Sequence, residues 1–98
     1  MFVLVDRIWP RGVTRERLKN VIWIKDLSPS NQLRKWFSHE SSKWDEFKKR
    51  YYMEIEGTQA IKDIMMVAKQ KNIVLLYGSK ERSFNNAVAL KDFIERNL

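Results

Sequence analysis

Two uninterrupted apolar runs, Phe2–Val5 and Ile73–Tyr77, constrain the fold of this chain more than any other feature. Neither alternates apolar with polar residues, as a strand with one wet face does, so each reads as a strand buried on both sides. Between and after them, apolar residues recur at helical spacing: Leu33, Trp36 and Phe37; Trp44, Phe47, Tyr51 and Ile55; Ile61, Ile64, Met65 and Ala68; Ala87, Leu90 and Ile94. Strands that alternate with helices call for a parallel sheet under helical layers. The expected fold class is therefore α/β, a small parallel-type sheet of two to three strands packed with about five helices. Ninety-eight residues make a single domain, 1–98. A sheet that thin implies either a missing strand or a paired partner chain, so a homodimer joined through an open sheet edge is one expectation.

Local signals fill in the rest. Thr14 can cap a short helix running to about Asn20, and Ser28-Pro29-Ser30 opens the next, with Ser as cap. Ser41 or Ser42 restarts the helix, Gly57 ends it, Thr58 caps another and Ser83 can cap the last. Val21–Ile24 is short, and its β-branched residues favour a strand. Trp23, Trp36 and Trp44 are expected in the core. With 44% hydrophobic and 12% aromatic residues the chain can build that core, and cysteine is absent, which excludes disulfides and thiolate metal sites. No apolar run approaches the ~20 residues of a membrane span, and no signal peptide precedes the charged residues. A cytoplasmic location with no membrane partner is the expectation.

Nineteen Lys and Arg against twelve Asp and Glu give a net charge of +7. A solvated basic surface accounts for part of this: Lys48-Lys49-Arg50 lies among Asp45, Glu46, Glu54 and Glu56. The informative cations sit elsewhere. The first apolar run breaks into Asp6-Arg7-Ile8-Trp9-Pro10-Arg11-Gly12, and a simple turn needs the Pro and Gly but not two guanidinium groups flanking a Trp. Ligands of open parallel sheets bind beyond the carboxyl ends of the strands, where this loop and Tyr77–Asn86 both fall. Arg7, Arg11, Tyr77, Lys80, Asn85 and Asn86 are expected to converge on one anion-binding crevice, aided by the amino end of the last helix.

Each residue also has a plainer reading. Asp6 and Arg7 can form an ion pair at the strand end, as can Lys25 and Asp26. Trp9-Pro10 can plug the sheet end or serve as a ligand platform. Asn85 and Asn86 can cap a helix. Gly78-Ser79-Lys80 is a fragment of a phosphate loop without the full spacing. His39, the single histidine, is a candidate for proton transfer, though a His at a helix exit is commonly structural. Arg34 and Lys35 share its helix. No cofactor motif or metal-ligand spacing is present, so neither a cofactor nor a metal is expected.

The residues Leu4-Val5-Asp6-Arg7-Ile8-Trp9-Pro10-Arg11-Gly12, Trp23-Ile24-Lys25-Asp26-Leu27-Ser28-Pro29-Ser30 and Leu33-Arg34-Lys35-Trp36-Phe37-Ser38-His39 together resemble the YeaO-like family, domain of unknown function 488. Trp44, Phe47, Arg50-Tyr51, Leu75-Leu76-Tyr77 and Asn85-Asn86-Ala87 extend the likeness over essentially the whole chain. The resemblance implies a small α/β domain and groups Arg7, Arg11, Lys25, Arg34, His39, Tyr77 and Asn85 as motif positions; it implies no established reaction. Relatives usually begin with a further strand and a Pro-rich connection before the position of Phe2, which this chain lacks. They also commonly show Asn-His-Ala where this chain has Asn85-Asn86-Ala87, and an Asn cannot transfer protons as a His does.

Three functions follow as expectations. The first is an enzyme acting on a nucleotide-like or phosphorylated small molecule, with Arg7 and Arg11 clamping the anion, Trp9 stacking on a base, and His39 or Tyr77 handling protons. The second is a nucleic-acid-binding protein without catalysis. The third is a dimeric interaction protein.

Overall fold

A computed structural model describes all 98 residues. Three strands, β1 (Phe2–Leu4), β2 (Val21–Trp23) and β3 (Val74–Leu76), form one parallel sheet in the order β2-β1-β3. Phe2 is in register with Val21 and Val74, and Leu4 with Trp23 and Leu76. Only β1, the middle strand, is enclosed: Val3 and Val5 have no exposed surface, whereas Val74 on the β3 edge is 46% exposed. The ladder continues beyond the strand bounds, since the Val5 amide donates to Leu76 O (3.3 Å) and the Ile24 amide to Leu4 O (3.0 Å). All three strands point the same way, so Asp6, Ile24 and Tyr77 leave the sheet at one edge.

The helices are α1 (Asn31–Phe37), α2 (Trp44–Ile55), α3 (Gln59–Ala68) and α4 (Asn86–Asn97), with single 3₁₀ turns at Lys25–Leu27 and Ser41–Lys43. There are four α-helices rather than about five, because the expected helix after Thr14 does not form. Thr14 Oγ1 still accepts the Arg17 amide at 3.2 Å, but the segment continues as turns. Its residues are exposed apart from a half-buried Leu18, and without an apolar face to bury, so short a helix cannot repay its nucleation.

Capping explains where α1, α3 and α4 start, whereas α2 follows the Ser41–Lys43 turn without a side-chain cap. Ser30, not Ser28, caps α1 by accepting the Leu33 amide (3.1 Å), and Glu54 of α2 accepts both the amide and the hydroxyl of Ser30. Thr58 caps α3 through the Ile61 amide. Asn85 rather than Ser83 caps α4, as its plainer reading has it, by accepting the Val88 amide at 3.0 Å; the Ser83 amide turns back to Glu81. Phe47, Tyr51 and Ile55, four residues apart, form the buried stripe of α2. Phe47 stacks on Phe37 at 4.3 Å between centroids and lies 5.8 Å from Tyr51. Trp23, Trp36 and Trp44 are each half-buried at the margin of this core rather than within it. No helix is long and apolar enough to cross a membrane.

Candidate functional site

The carboxyl edge of the sheet is held together by four hydrogen bonds that radiate from the end of β1. Asp6 Oδ2 accepts the Gly78 amide at 2.5 Å, joining β1 to the residue after β3. Gly78 suits this approach, because a Cβ built there would lie 3.0 Å from the same carboxylate oxygen, which would have to give by a few tenths of an ångström. The Arg7 guanidinium donates through Nε and Nη2 to the carbonyl of buried Pro29 (3.3 and 3.1 Å), fixing the segment that leads into α1. Asn86 Nδ2 donates to Val5 O at 2.8 Å, tying in the first turn of α4.

These ties bound a cavity of about 260 Å³ lined in part by Asp6, Arg7, Arg34, His39, Ser79 and Asn86. An adjoining recess of about 420 Å³ shares Ile8, Pro29, Arg34, His39 and Asn86, and adds Asn31, Lys35 and Asn85 among its polar residues. Together they make one crevice between the β1 loop, α1 and the start of α4. Asp6 is the only acidic residue that lines it, against Arg7, Arg34 and Lys35. Burial raises the Asp6 carboxyl above its ordinary pKa of 3.8, opposed by the Gly78 amide and by the charge of Arg34.

His39 reaches the crevice through backbone that L-residues rarely adopt. Ser38 and His39 follow one another with φ of 47° and 56°, left-handed values that cost ~1–2 kcal/mol per residue without glycine. The His39 ring is held by Nδ1 at 3.2 Å from Phe84 O and by a tilted contact with Phe37. A carbonyl only accepts, so Nδ1 carries the proton in the neutral ring and Nε2 is left as an acceptor. Glu81 organises the facing loop: its side chain accepts the Ser83 amide at 2.9 Å, and backbone amides, Ser83 first, hold its carboxyl below the usual carboxylate range.

The expected convergence holds for Arg7, Asn85 and Asn86, with Arg34 and His39 joining them from α1 and its exit. It does not hold for Arg11, Tyr77 or Lys80. Trp9 Nε1 donates to Val13 O (2.6 Å) and Gly12 takes φ of 74°, closing a turn that leaves Arg11 exposed to solvent. Tyr77 continues the alternation of β3 and, with Leu75, lines a separate groove of about 500 Å³ against α4. That groove is larger than either part of the crevice but mostly apolar, and its two lysines, Lys71 and Lys91, share it with Glu95. Lys80 is exposed beyond Ser79. Asn85 is 2% exposed and both ends of its amide are occupied, by Val88 N and Glu81 O. Asn86 keeps its Oδ1 unengaged by protein.

Several plainer readings also fail. Asp6 does not pair with Arg7, and Lys25 does not pair with Asp26: no carboxylate lies within ion-pair distance of either cation. The Gly78-Ser79-Lys80 fragment does not cradle a phosphate with the Gly78 amide, because Asp6 occupies that donor. Trp9 and Lys25 lie on the β2 side of the β1 loop. There Trp9 meets Trp23 edge-on at 5.1 Å, Arg15 Cζ sits 4.2 Å over Trp9, and Lys25 Nζ sits 4.3 Å over Trp23. Nothing in the residue spacing marks Arg15 for a role here, or Asp6 for more than an ion pair. No three His, Cys, Asp or Glu side chains come together as a metal site.

The profile of the inactive DUF488-N3 subclade matches residues 1–98. The uncharacterised protein YeaO of Escherichia coli (strain K12) is 36% identical over 93 residues, covering 94% of this chain and 81% of YeaO. Uncharacterised proteins of Mycobacterium tuberculosis (strain H37Rv) and Mycobacterium bovis are each 30% identical over 92 residues, covering 94% of this chain and 78% of theirs. No solved structure matches the chain significantly. On the strength of the full-length profile match and of YeaO, the chain belongs to the YeaO-like DUF488 family.

Proposed function

We propose that the crevice binds a small anion-bearing ligand, a nucleotide-like or phosphorylated molecule, without turning it over. The observation that carries this reading is the cation balance of the crevice. Arg7, Arg34 and Lys35 face a single carboxylate, and burial together with the Gly78 bond makes that carboxylate a poor competitor for them. Arg7 is pre-oriented by its two bonds to Pro29 O and keeps further N–H donors beyond them. The first amides of α4 have no helical acceptors and add positive potential nearby.

Absence of turnover rests on Asn86. Its Nδ2 is fixed on Val5 O, and a carboxamide neither gives nor takes a proton at neutral pH. His39 lies in the crevice, but no second group able to exchange protons stands beside it except Asp6, whose Oδ2 holds the Gly78 amide. The description of the matched subclade as inactive agrees with this reading.

The test is a thermal-shift panel of inorganic phosphate, sugar phosphates and nucleoside phosphates on wild type and Arg34→Ala, with phosphorus NMR for turnover. At a hundredfold excess over Kd a ligand stabilises the fold by about 2.7 kcal/mol, roughly 10 °C or more in Tm for a domain this size. Wild type should show such a shift with at least one ligand, R34A should lose it, and the ligand should be recovered unchanged. No shift with any of them, an equal shift in R34A, or product accumulating with time each defeats the proposal.

A further inference from the structure

Charge is distributed unevenly along this chain. Eight of the nineteen basic residues, but only three of the twelve acidic ones, lie within residues 1–35. All four ion pairs involve Lys43, Lys48, Arg50 or Lys91, so none of those eight cations has a carboxylate partner. Arg7, Arg34 and Lys35 belong to the crevice. The remaining five, Arg11, Arg15, Arg17, Lys19 and Lys25, are exposed on the β1–β2 connection and just after β2, where Trp9 and Trp23 also lie.

We propose that this tryptophan-backed face is a docking surface for single-stranded nucleic acid, separate from the crevice. Arg15 is the key residue. Its Cζ lies 4.2 Å from the Trp9 centroid and 5.0 Å from that of Trp23, so two indoles orient one guanidinium. Stacking uses the π face of the guanidinium and leaves its in-plane N–H donors available to phosphate. Its outer face can stack on an unpaired base, as Arg planes do in RNA recognition. Lys25, 4.3 Å over Trp23, places a second cation on the same pair of rings. Arg11 occupies the turn that Trp9 closes, and Arg17 and Lys19 follow Arg15 in the chain.

The ring geometry favours an unpaired strand over the two other polyanions that a basic, Trp-bearing face can meet. A duplex hides its base faces, so the Trp–Arg stack gains nothing from it. An anionic bilayer takes up indoles that project from the surface with a free polar tip. Here both indole N–H groups are bonded to the protein's own carbonyls, Trp9 to Val13 O (2.6 Å) and Trp23 to Asp6 O (2.7 Å), which pins the rings against the sheet end. The most exposed apolar side chain of the β1 loop, Ile8 at 66%, lines the crevice rather than this face.

Fluorescence anisotropy of a labelled oligouridylate and an oligothymidylate, each of about twenty nucleotides, tests this with the full chain. Binding should weaken with salt at a log–log slope of about −2 to −3, as three or four phosphate contacts on a single strand give. Arg15→Ala should weaken it about tenfold or more, the range seen when a stacking side chain is removed. Arg15→Lys, which keeps the charge and loses the planar stack, should bind several-fold weaker than wild type. Arg34→Ala should bind the strand as wild type does, so failure here and failure of the crevice proposal are separable. Arg15 is exposed, and an unchanged melting curve within a few degrees confirms that R15A is folded. No binding at low salt, wild-type affinity in R15A or R15K, an equally tight duplex, or Arg15-dependent capture by phosphatidylserine vesicles would each overturn the proposal.

Discussion

The β1 loop separates two basic regions that are held in place by different forces. On the β3 side, directional hydrogen bonds fix the crevice: Arg7 to Pro29, Asn86 to Val5, Asp6 to Gly78 and His39 to Phe84. On the β2 side, exposed cations lie over half-buried indoles, and only the indole N–H groups are anchored. Hydrogen bonds specify angle as well as distance, so the first region is preorganised for a ligand of fixed shape. Cation–π contacts tolerate sliding, so the second suits a flexible chain. Under the two proposals one loop would serve two kinds of recognition, and breaking one set of contacts should leave the other region intact.

The largest expected effect comes from beneath the crevice. The Tyr51 hydroxyl donates to Leu27 O, and burial, with the nearby Tyr52, Glu54 and Asp6, pushes its pKa far above the ordinary phenol value. The bond anchors α2 to the segment whose Pro29 carbonyl holds Arg7. Tyr51→Phe leaves the Leu27 carbonyl without its partner and should cost about 2 kcal/mol, roughly 10 °C in Tm. Ligand binding in the crevice should weaken as well, while single-strand binding at the Arg15 face stays within twofold. Equal weakening of both sites would show that the two regions are mechanically one.

Asn86→Ala comes next. It removes the donor to Val5 O, a carbonyl on a residue with no exposed surface, and should cost about 1–2 kcal/mol by urea unfolding. Asn86→Asp supplies no donor in its ionised form and should behave no better. Stability unchanged in N86A would mean that the β1–α4 tie is not what shapes the crevice.

The sequence made the location of the crevice legible and left its membership obscure. Two apolar runs joined through helices imply parallel strands, and parallel strands send their carboxyl ends to one edge, so Arg7 and the approach to α4 had to meet. Which arginine of the β1 loop turns inward depends on the φ of Gly12 and on the Trp9–Val13 bond, neither of which residue types reveal. The Asp6–Gly78 bond spans 72 positions and has no local signature. Tyr77, just past the end of β3, falls on the α4 side rather than in the crevice, because a residue at a strand end can face either layer and pattern alone does not position α4. Thr14–Asn20 has a helix cap and no apolar stripe; the absent stripe was the stronger signal.

Asp6 belongs to both regions, since its side chain faces the crevice and its carbonyl accepts the Trp23 indole. Its raised pKa means that the folded state binds the proton more tightly than the unfolded chain. The stabilisation linked to protonation is complete below the ordinary value of 3.8 and is lost as pH rises through the raised folded pKa. Asparagine can accept the Gly78 amide without the buried charge. Asp6→Asn should therefore match or exceed wild type at pH 7, with the gap closing on acidification past the ordinary carboxylate range. Because the group is only partly enclosed, this effect should be smaller than those at Tyr51 and Asn86. A gap that widens as pH falls would mean that Arg34 and the Gly78 amide outweigh burial.

The smallest effect on stability belongs to the residue with the largest proposed effect on strand binding. Arg15 is exposed and makes two cation–π contacts, worth about 0.5–1 kcal/mol together at a solvated site. R15A should therefore melt within a few degrees of wild type and keep the full crevice response to phosphate-bearing ligands. The contrast with Tyr51→Phe is the sharpest form of the comparison: one substitution costs stability and crevice binding, the other costs little stability and no crevice binding. If R15A instead destabilised the fold as much as Tyr51→Phe, the Trp9–Trp23 pair would be a structural keystone that Arg15 clamps, and the β2-side cations would owe their position to folding rather than to recognition.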